Sequence, residues 1–188
     1  MAQDMNYLPD VLDEYEQEAL LDEPNLRCIT GIRNYAIMIL MLNTGVRTEE
    51  LVNLTWDDVD LDYNELHTGH GTSRKNRTLR LTFEVVEALR NWKFRQSKEV
   101  GQCECMFTTL KGNVVSPRYV RGMIKRFGDK AMIPKQCSPV ILRHTFAVKY
   151  YKTYEDIDDL ARALGVRDKY NLNIYPLLAD EDIDTIMY

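Results

Sequence analysis

The sequence predicts an α+β fold, mainly α-helical, with one small antiparallel β-sheet. Three observations carry this. Apolar residues recur at helical spacing, as in Val11, Leu12, Tyr15, Ala19 and Leu20. Strand-like pieces cluster in one stretch, around the turn residues Gly69-His70-Gly71-Thr72-Ser73. No internal repeat, low-complexity tract or Pro/Gly-rich linker divides the 188 residues, so residues 1–188 read as one domain able to bury a core.

Each element has its own local reason. Pro9 to Leu21 is acidic with a helical apolar stripe and reads as an opening helix. Ile29 to Asn43 is almost wholly apolar apart from Arg33 and Asn34, which at this length means a buried helix. It ends near Gly45, where a left-handed turn is easy. Thr48 is the expected cap of a short helix with acids in its first turn. Val59–Leu61, Glu65–Thr68 and Thr78–Leu81 are the expected strands, the last two joined by the Gly-rich hairpin loop. Thr82 caps a helix through about Ser97. Cys105–Thr108 is a short strand or turn, followed by a turn at Lys111-Gly112-Asn113. Ser116-Pro117 and Ser138-Pro139 each open a helix. Ile157–Leu164 is helical and stops at Gly165, and Ile183–Met187 is an acidic tail helix.

Composition narrows the class. Hydrophobic residues are 45% and charged residues 28%, a globular balance rather than a disordered one. No apolar run approaches the ~20 residues of a membrane span, and Met1-Ala2-Gln3-Asp4 lacks the basic and apolar regions of a signal peptide. The expectation is a soluble cytoplasmic protein with no membrane partner. Cys103-Glu104-Cys105 has the wrong spacing for a zinc knuckle and no second pair follows, so no metal and no cofactor are expected.

The net charge of −5 hides a segregation. Residues 1–66 hold 3 Lys+Arg against 15 Asp+Glu, residues 67–152 hold 18 against 5, and residues 153–188 hold 3 against 9. The basic middle is the footprint expected of a polyanion partner, because its cations displace counterions from phosphates. Folding can also erase such a pattern by packing acidic segments beside basic ones. The polyanion reading is favoured because the basic stretch also holds two of the four candidate residues taken up next, Lys75 and Arg143, and Arg143 is flanked by Lys135 and Lys149.

Four short contexts carry the chemistry: Thr44-Gly45-Val46-Arg47-Thr48-Glu49-Glu50-Leu51, Arg74-Lys75-Asn76-Arg77, Leu142-Arg143-His144-Thr145-Phe146-Ala147, and Leu164-Gly165 followed ten residues later by Tyr175. Each alone is ordinary. Arg47 alone reads as an exposed arginine paired to Glu50, Lys75 as a solvated hairpin tip, and Tyr175 as one core tyrosine among eleven.

Taken together, their order and spacing resemble the catalytic domain of the tyrosine recombinases, the phage-integrase family, from about Leu8 to Tyr175. The resemblance implies a helical DNA breaking-rejoining fold and a site-specific recombinase acting through a 3′-phosphotyrosine. Such chemistry needs a nucleophile, cations on the non-bridging oxygens and an acid for the departing 5′ oxygen. Arginine suits the clamp because its fork holds two oxygens and keeps its charge; lysine suits the acid because it can release a proton. The implied catalytic residues are Arg47, Lys75, Arg143 and Tyr175, with Arg74 or Arg77 able to replace Lys75 and Tyr170 the competitor of Tyr175. Arg74, Arg77, Arg118, Arg121, Lys125 and Arg126 are the expected DNA-binding residues.

The sequence departs from the family at two positions that usually carry histidine and here are Val140 and Val166. The alternative reading is therefore a catalytically impaired relative that occupies recombination sites without cutting. His144 follows Arg143, and because neighbouring helical residues point in different directions it reads as structural. The implied partners are double-stranded DNA and a second copy docked through the C-terminal segment, with no small-molecule substrate. The family's N-terminal core-binding domain is not found in these residues, and the resemblance implies a nucleoid-associated protein of prokaryotic, viral or plasmid origin.

Overall fold

The computed structural model describes residues 8–68 and 76–184. Its first helix, α1 (Glu14–Asp22), starts where two polar groups satisfy each other. The Asp13 carboxylate accepts the Glu16 N–H at 2.8 Å, and the Glu16 carboxylate accepts the Asp13 N–H at 2.9 Å. This capping box overrides the apolar spacing, so the helix begins at Glu14 rather than Pro9. The Leu12 N–H donates instead to Thr145 Oγ1 at 2.9 Å, tying the entering chain to a distant helix.

The centre is α2 (Ile29–Thr44), which packs against α4 (Phe83–Glu99) and α6 (Pro139–Tyr154). Its Ile37, Met38 and Leu40 are fully buried, each such side chain stabilising the fold by ~1.5–3 kcal/mol of transfer free energy. Its Arg33 and Asn34 are buried too and find partners there: Arg33 Nη1 donates to the Thr108 carbonyl at 2.9 Å, and Asn34 Oδ1 accepts the Tyr119 hydroxyl at 2.9 Å. Gly45 ends α2 with φ +59°, its N–H donating to the Met41 carbonyl. A Cβ there would lie 2.4 Å from the Phe146 ring, so no other residue closes this turn without displacement.

The next helix, α3 (Thr48–Val52), corrects another expectation. Thr48 is buried inside the first turn, and Arg47 occupies the cap position, its N–H donating to Glu50 Oε2 at 2.9 Å. The predicted sheet forms in order β1 (Val59–Asp60), β2 (Glu65–Thr68), β3 (Arg77–Arg80), antiparallel throughout. Buried Leu66 faces buried Leu79 across β2–β3. The loop expected to join those strands, with Arg74 and Lys75, lies outside the described residues.

Thr82 precedes α4 as expected. Ser116 and Ser138 cap α5 (Pro117–Lys130) and α6, accepting from Tyr119 N–H and Ile141 N–H, with proline first in each helix. Then α7 (Ile157–Leu164) stops at Gly165, whose φ is +62°. The tail helix α8 (Ile174–Asp184) begins well before the predicted Ile183 and packs on α6. Pro176 sits in its first turn, where a missing N–H costs nothing, so it does not stop the helix. Among the described residues no helix is long and apolar enough to cross a membrane.

Candidate active site

The site forms where the ends of α2 and α7 meet the faces of α6 and α8. Arg143, one turn into α6, reaches both ends. Its Nη1 donates to the Gly45 carbonyl and its Nη2 to the Leu164 carbonyl, the latter at 2.7 Å. A guanidinium carries five N–H donors in a rigid fork, so these two bonds orient it and leave donors over. Burial, reinforced by the positive charge of Arg47, pushes Arg143 down to about 10, still fully charged at neutral pH. Arg77 pulls the same way, while Glu50 and Tyr175 oppose it.

Glu50 is the anionic floor. Its side chain is 2% exposed, and Arg77 grips it through two bonds, Nη1 to Oε1 at 2.9 Å and Nη2 to Oε2 at 3.0 Å. Burial alone would raise this carboxyl; the Arg77 bonds, the Arg47 N–H and the charges of Arg77 and Arg143 outweigh it and hold the group below the ordinary glutamate range. Arg77 Nε donates to the Ala163 carbonyl at 2.7 Å. Arg77 was expected to meet DNA; its side chain is instead buried at 6% exposure and committed to Glu50 and α7. Gly165 makes room for it, since a Cβ there would stand 2.7 Å from Arg77 Nη1. Three arginines against one carboxylate leave a net positive pocket, suited to an anion.

Tyr175, second in α8, faces this pocket. It is 5% exposed, whereas its competitor Tyr170 is 81% exposed. Burial pushes the Tyr175 phenol up, and the charges of Arg143 and Arg47 pull against that rise. Its hydroxyl lies 3.0 Å from His144 Nδ1, the two rings tilted at 44° with centroids 5.8 Å apart. His144 is thus not merely a structural neighbour of Arg143. Arg143 and His144 do point in different directions, but α8 packs on α6 and meets the second direction as well. Burial, then the Arg143 charge, lowers the imidazole and keeps it neutral.

The residue pattern of the phage integrase family matches residues 10–181. The chain belongs to the phage integrase family. Similar relatives include the tyrosine recombinases XerD of Staphylococcus saprophyticus and of Staphylococcus aureus, each 31% identical over 179 residues, 94% of this chain and 60% of theirs. The chain thus spans about 60% of the length of these relatives. The crystal structure of XerA recombinase is similar with a TM-score of 0.85 at 28% identity, covering 96% of this chain and 64% of that one. A post-cleavage complex of the XerH site-specific recombinase on its difH substrate shares the fold, with a TM-score of 0.81 at 22% identity over 96% of this chain and 53% of that one.

Within this phage integrase fold, Arg47, Arg143 and Tyr175 converge from three elements, and Lys75 and Arg74 lie outside the described residues. Val140 is 61% exposed and Val166 half-buried, and neither side chain can exchange a proton. Arg118, Arg121, Lys125 and Arg126 are all exposed on α5, apart from the pocket but on a helix that packs against α3. Arg121 reaches Glu49 at 3.9 Å, and Lys125 pairs with Asp129 at 2.7 Å. Sequence reasoning missed Glu50 and His144 as members of the site. The Glu50–Arg77 pair spans 27 positions and the His144–Tyr175 pair 31, and no local spacing announces either.

Proposed function

We propose that this chain is the catalytic part of a site-specific DNA recombinase that cleaves and rejoins strands through a 3′-phosphotyrosine at Tyr175. The observation that carries the reading is the buried Tyr175 hydroxyl acted on by the charges of Arg143 and Arg47. In this reading Arg47 and Arg143 hold the non-bridging oxygens of the scissile phosphate as charge builds on them. The Tyr175 oxygen bonds to phosphorus, the bond to the 5′ oxygen breaks, and Lys75 protonates the departing oxygen. The ester keeps the strand activated for rejoining. Arg77 is assigned a supporting role, fixing Glu50 beneath the clamp, while Arg74, Arg118, Arg121, Lys125 and Arg126 contact DNA phosphates.

DNA is bound in the cytoplasm, at the nucleoid, in a host or element of prokaryotic, viral or plasmid origin. Self-association on DNA runs through the C-terminal segment, whose Asp180, Glu181, Asp182 and Asp184 suit a basic surface on a second copy. A strictly monomeric protein on its cognate site, measured by light scattering, contradicts that part.

A nicked suicide duplex tests the activity, because the cut fragment diffuses away and traps the covalent adduct. A covalent protein–DNA band is expected. A full-length protein that shifts the duplex but forms no adduct supports instead a relative that occupies sites without cutting.

A further inference from the structure

We propose that His144 takes the phenolic proton of Tyr175 during cleavage and returns it during rejoining, an inference that rests on the recombinase reading above. The contact is direct. Nδ1 of His144 lies 3.0 Å from the Tyr175 hydroxyl, within the range required of a general base. With its own proton on Nε2, the ring offers the Nδ1 lone pair to the phenol, and the hydroxyl donates to it.

The surroundings give both partners the protonation states that this transfer needs. Tyr175 is buried, which keeps the phenol protonated and makes it a weak nucleophile until a base removes the proton. His144 is half-buried beside Arg143, and both influences disfavour imidazolium in the resting site. Among the described residues, the charged and titratable groups facing this pair are Arg143 on the same helix, Tyr175 on α8, and Arg47 at the start of α3, which acts on the phenol. No carboxylate is bonded to the imidazole among them. Val140 and Val166 cannot exchange a proton. Among the described residues, His144 is the titratable side chain hydrogen-bonded to the Tyr175 hydroxyl.

The step balances. The Tyr175 O–H bond breaks as an N–H bond forms on His144, the phenolic oxygen bonds to phosphorus, and the bond to the 5′ oxygen breaks. That oxygen leaves with a proton from Lys75. The imidazolium produced lies beside the negative charge developing on the phosphoryl oxygens, which offsets its closeness to Arg143. Rejoining reverses each transfer: the 5′ hydroxyl attacks, and the departing phenolate recovers its proton from His144.

The test is single-turnover cleavage of a nicked suicide duplex by the full-length protein across a pH series, with DNA binding and thermal melting followed in parallel. Wild-type cleavage should fall on acidification below the ordinary histidine value of about 6.5, as the base is lost. His144→Ala and His144→Asn should each slow cleavage by ~10²–10⁴-fold and lose that acid limb while still shifting DNA, and imidazole in the buffer should restore His144→Ala in part. Asparagine can accept the phenol's hydrogen bond without taking its proton, so it separates holding the ring from deprotonating it. His144→Asn with wild-type rate and pH profile overturns the proposal, as does a wild-type rate that does not fall on acidification down to the unfolding point. If wild type forms no adduct, the recombinase reading falls and this inference with it; if wild type does so and His144→Ala matches it, only the inference falls.

Discussion

Arginines appear in two regions of this molecule under opposite physical regimes. In the pocket, Arg77 and Arg143 are withdrawn from water and held by named acceptors: Glu50 and the Ala163, Gly45 and Leu164 carbonyls. On α5, Arg118, Arg121 and Arg126 stand in solvent, with Arg121 no closer than 3.9 Å to Glu49. A desolvated charge is expensive unless fixed by partners, so these bonds hold each guanidinium in one orientation. An exposed charge is screened and mobile, and contributes to a polyanion mainly by releasing counterions. The same side chain is fixed by partners in one place and solvated in the other, and charge counting along the sequence cannot separate the two.

Removing the anion beneath the buried arginines should break the first region most severely. Glu50→Gln leaves the Arg77 charge buried against a neutral amide, with an expected loss of ~3–5 kcal/mol in urea unfolding. The wild-type pair also predicts a pH signature. Glu50 is held below its ordinary range, so its contribution is complete above about 4.3 and is lost as pH falls through the lower folded value. Glu50→Gln should flatten that acid limb; an unchanged stability–pH curve contradicts the arrangement. The next largest effect falls on Arg143→Lys, which keeps a charge but cannot reach the Gly45 and Leu164 carbonyls as one planar fork. Cleavage should drop ~10²–10³-fold with much smaller change in DNA affinity. Equal losses in binding and cleavage would instead place Arg143 with the α5 residues. Smallest is Arg118→Ala or Lys125→Ala, which should weaken binding similarly on all sequences and reduce the logarithmic salt slope by about 1. A sequence-selective loss from either would mean base-edge contact rather than phosphate contact.

Elements marked by local chemistry could be read before any coordinates. Gly45 and Gly165 ended their helices, and Ser116-Pro117 and Ser138-Pro139 opened theirs, because each signal acts within one turn. The misplaced boundaries have local causes too: the Asp13–Glu16 box starts α1 partway along the apolar stripe, and α8 opens around Pro176, well ahead of the acidic stretch at Ile183. The site divided differently. Family spacing brought out Arg47, Arg143 and Tyr175, but not what surrounds them. Arg77 looked like part of a basic run until β3 packed against α7 and placed it over Glu50. His144 looked peripheral because helical geometry at Arg143 says nothing about where α8 will lie. Both depend on contacts between elements far apart in the chain, which periodicity does not encode.

The proposed function turns on the buried phenol of Tyr175, rather than the exposed one of Tyr170, bonding to the DNA phosphate. Trapping the adduct on a suicide duplex, digesting it and sequencing the nucleotide-bearing peptide by mass spectrometry reads this directly. A nucleotide on Tyr175 is expected, with no adduct from Tyr175→Phe and undiminished adduct from Tyr170→Phe. A nucleotide on Tyr170, or on any residue outside the arginine pocket, contradicts it.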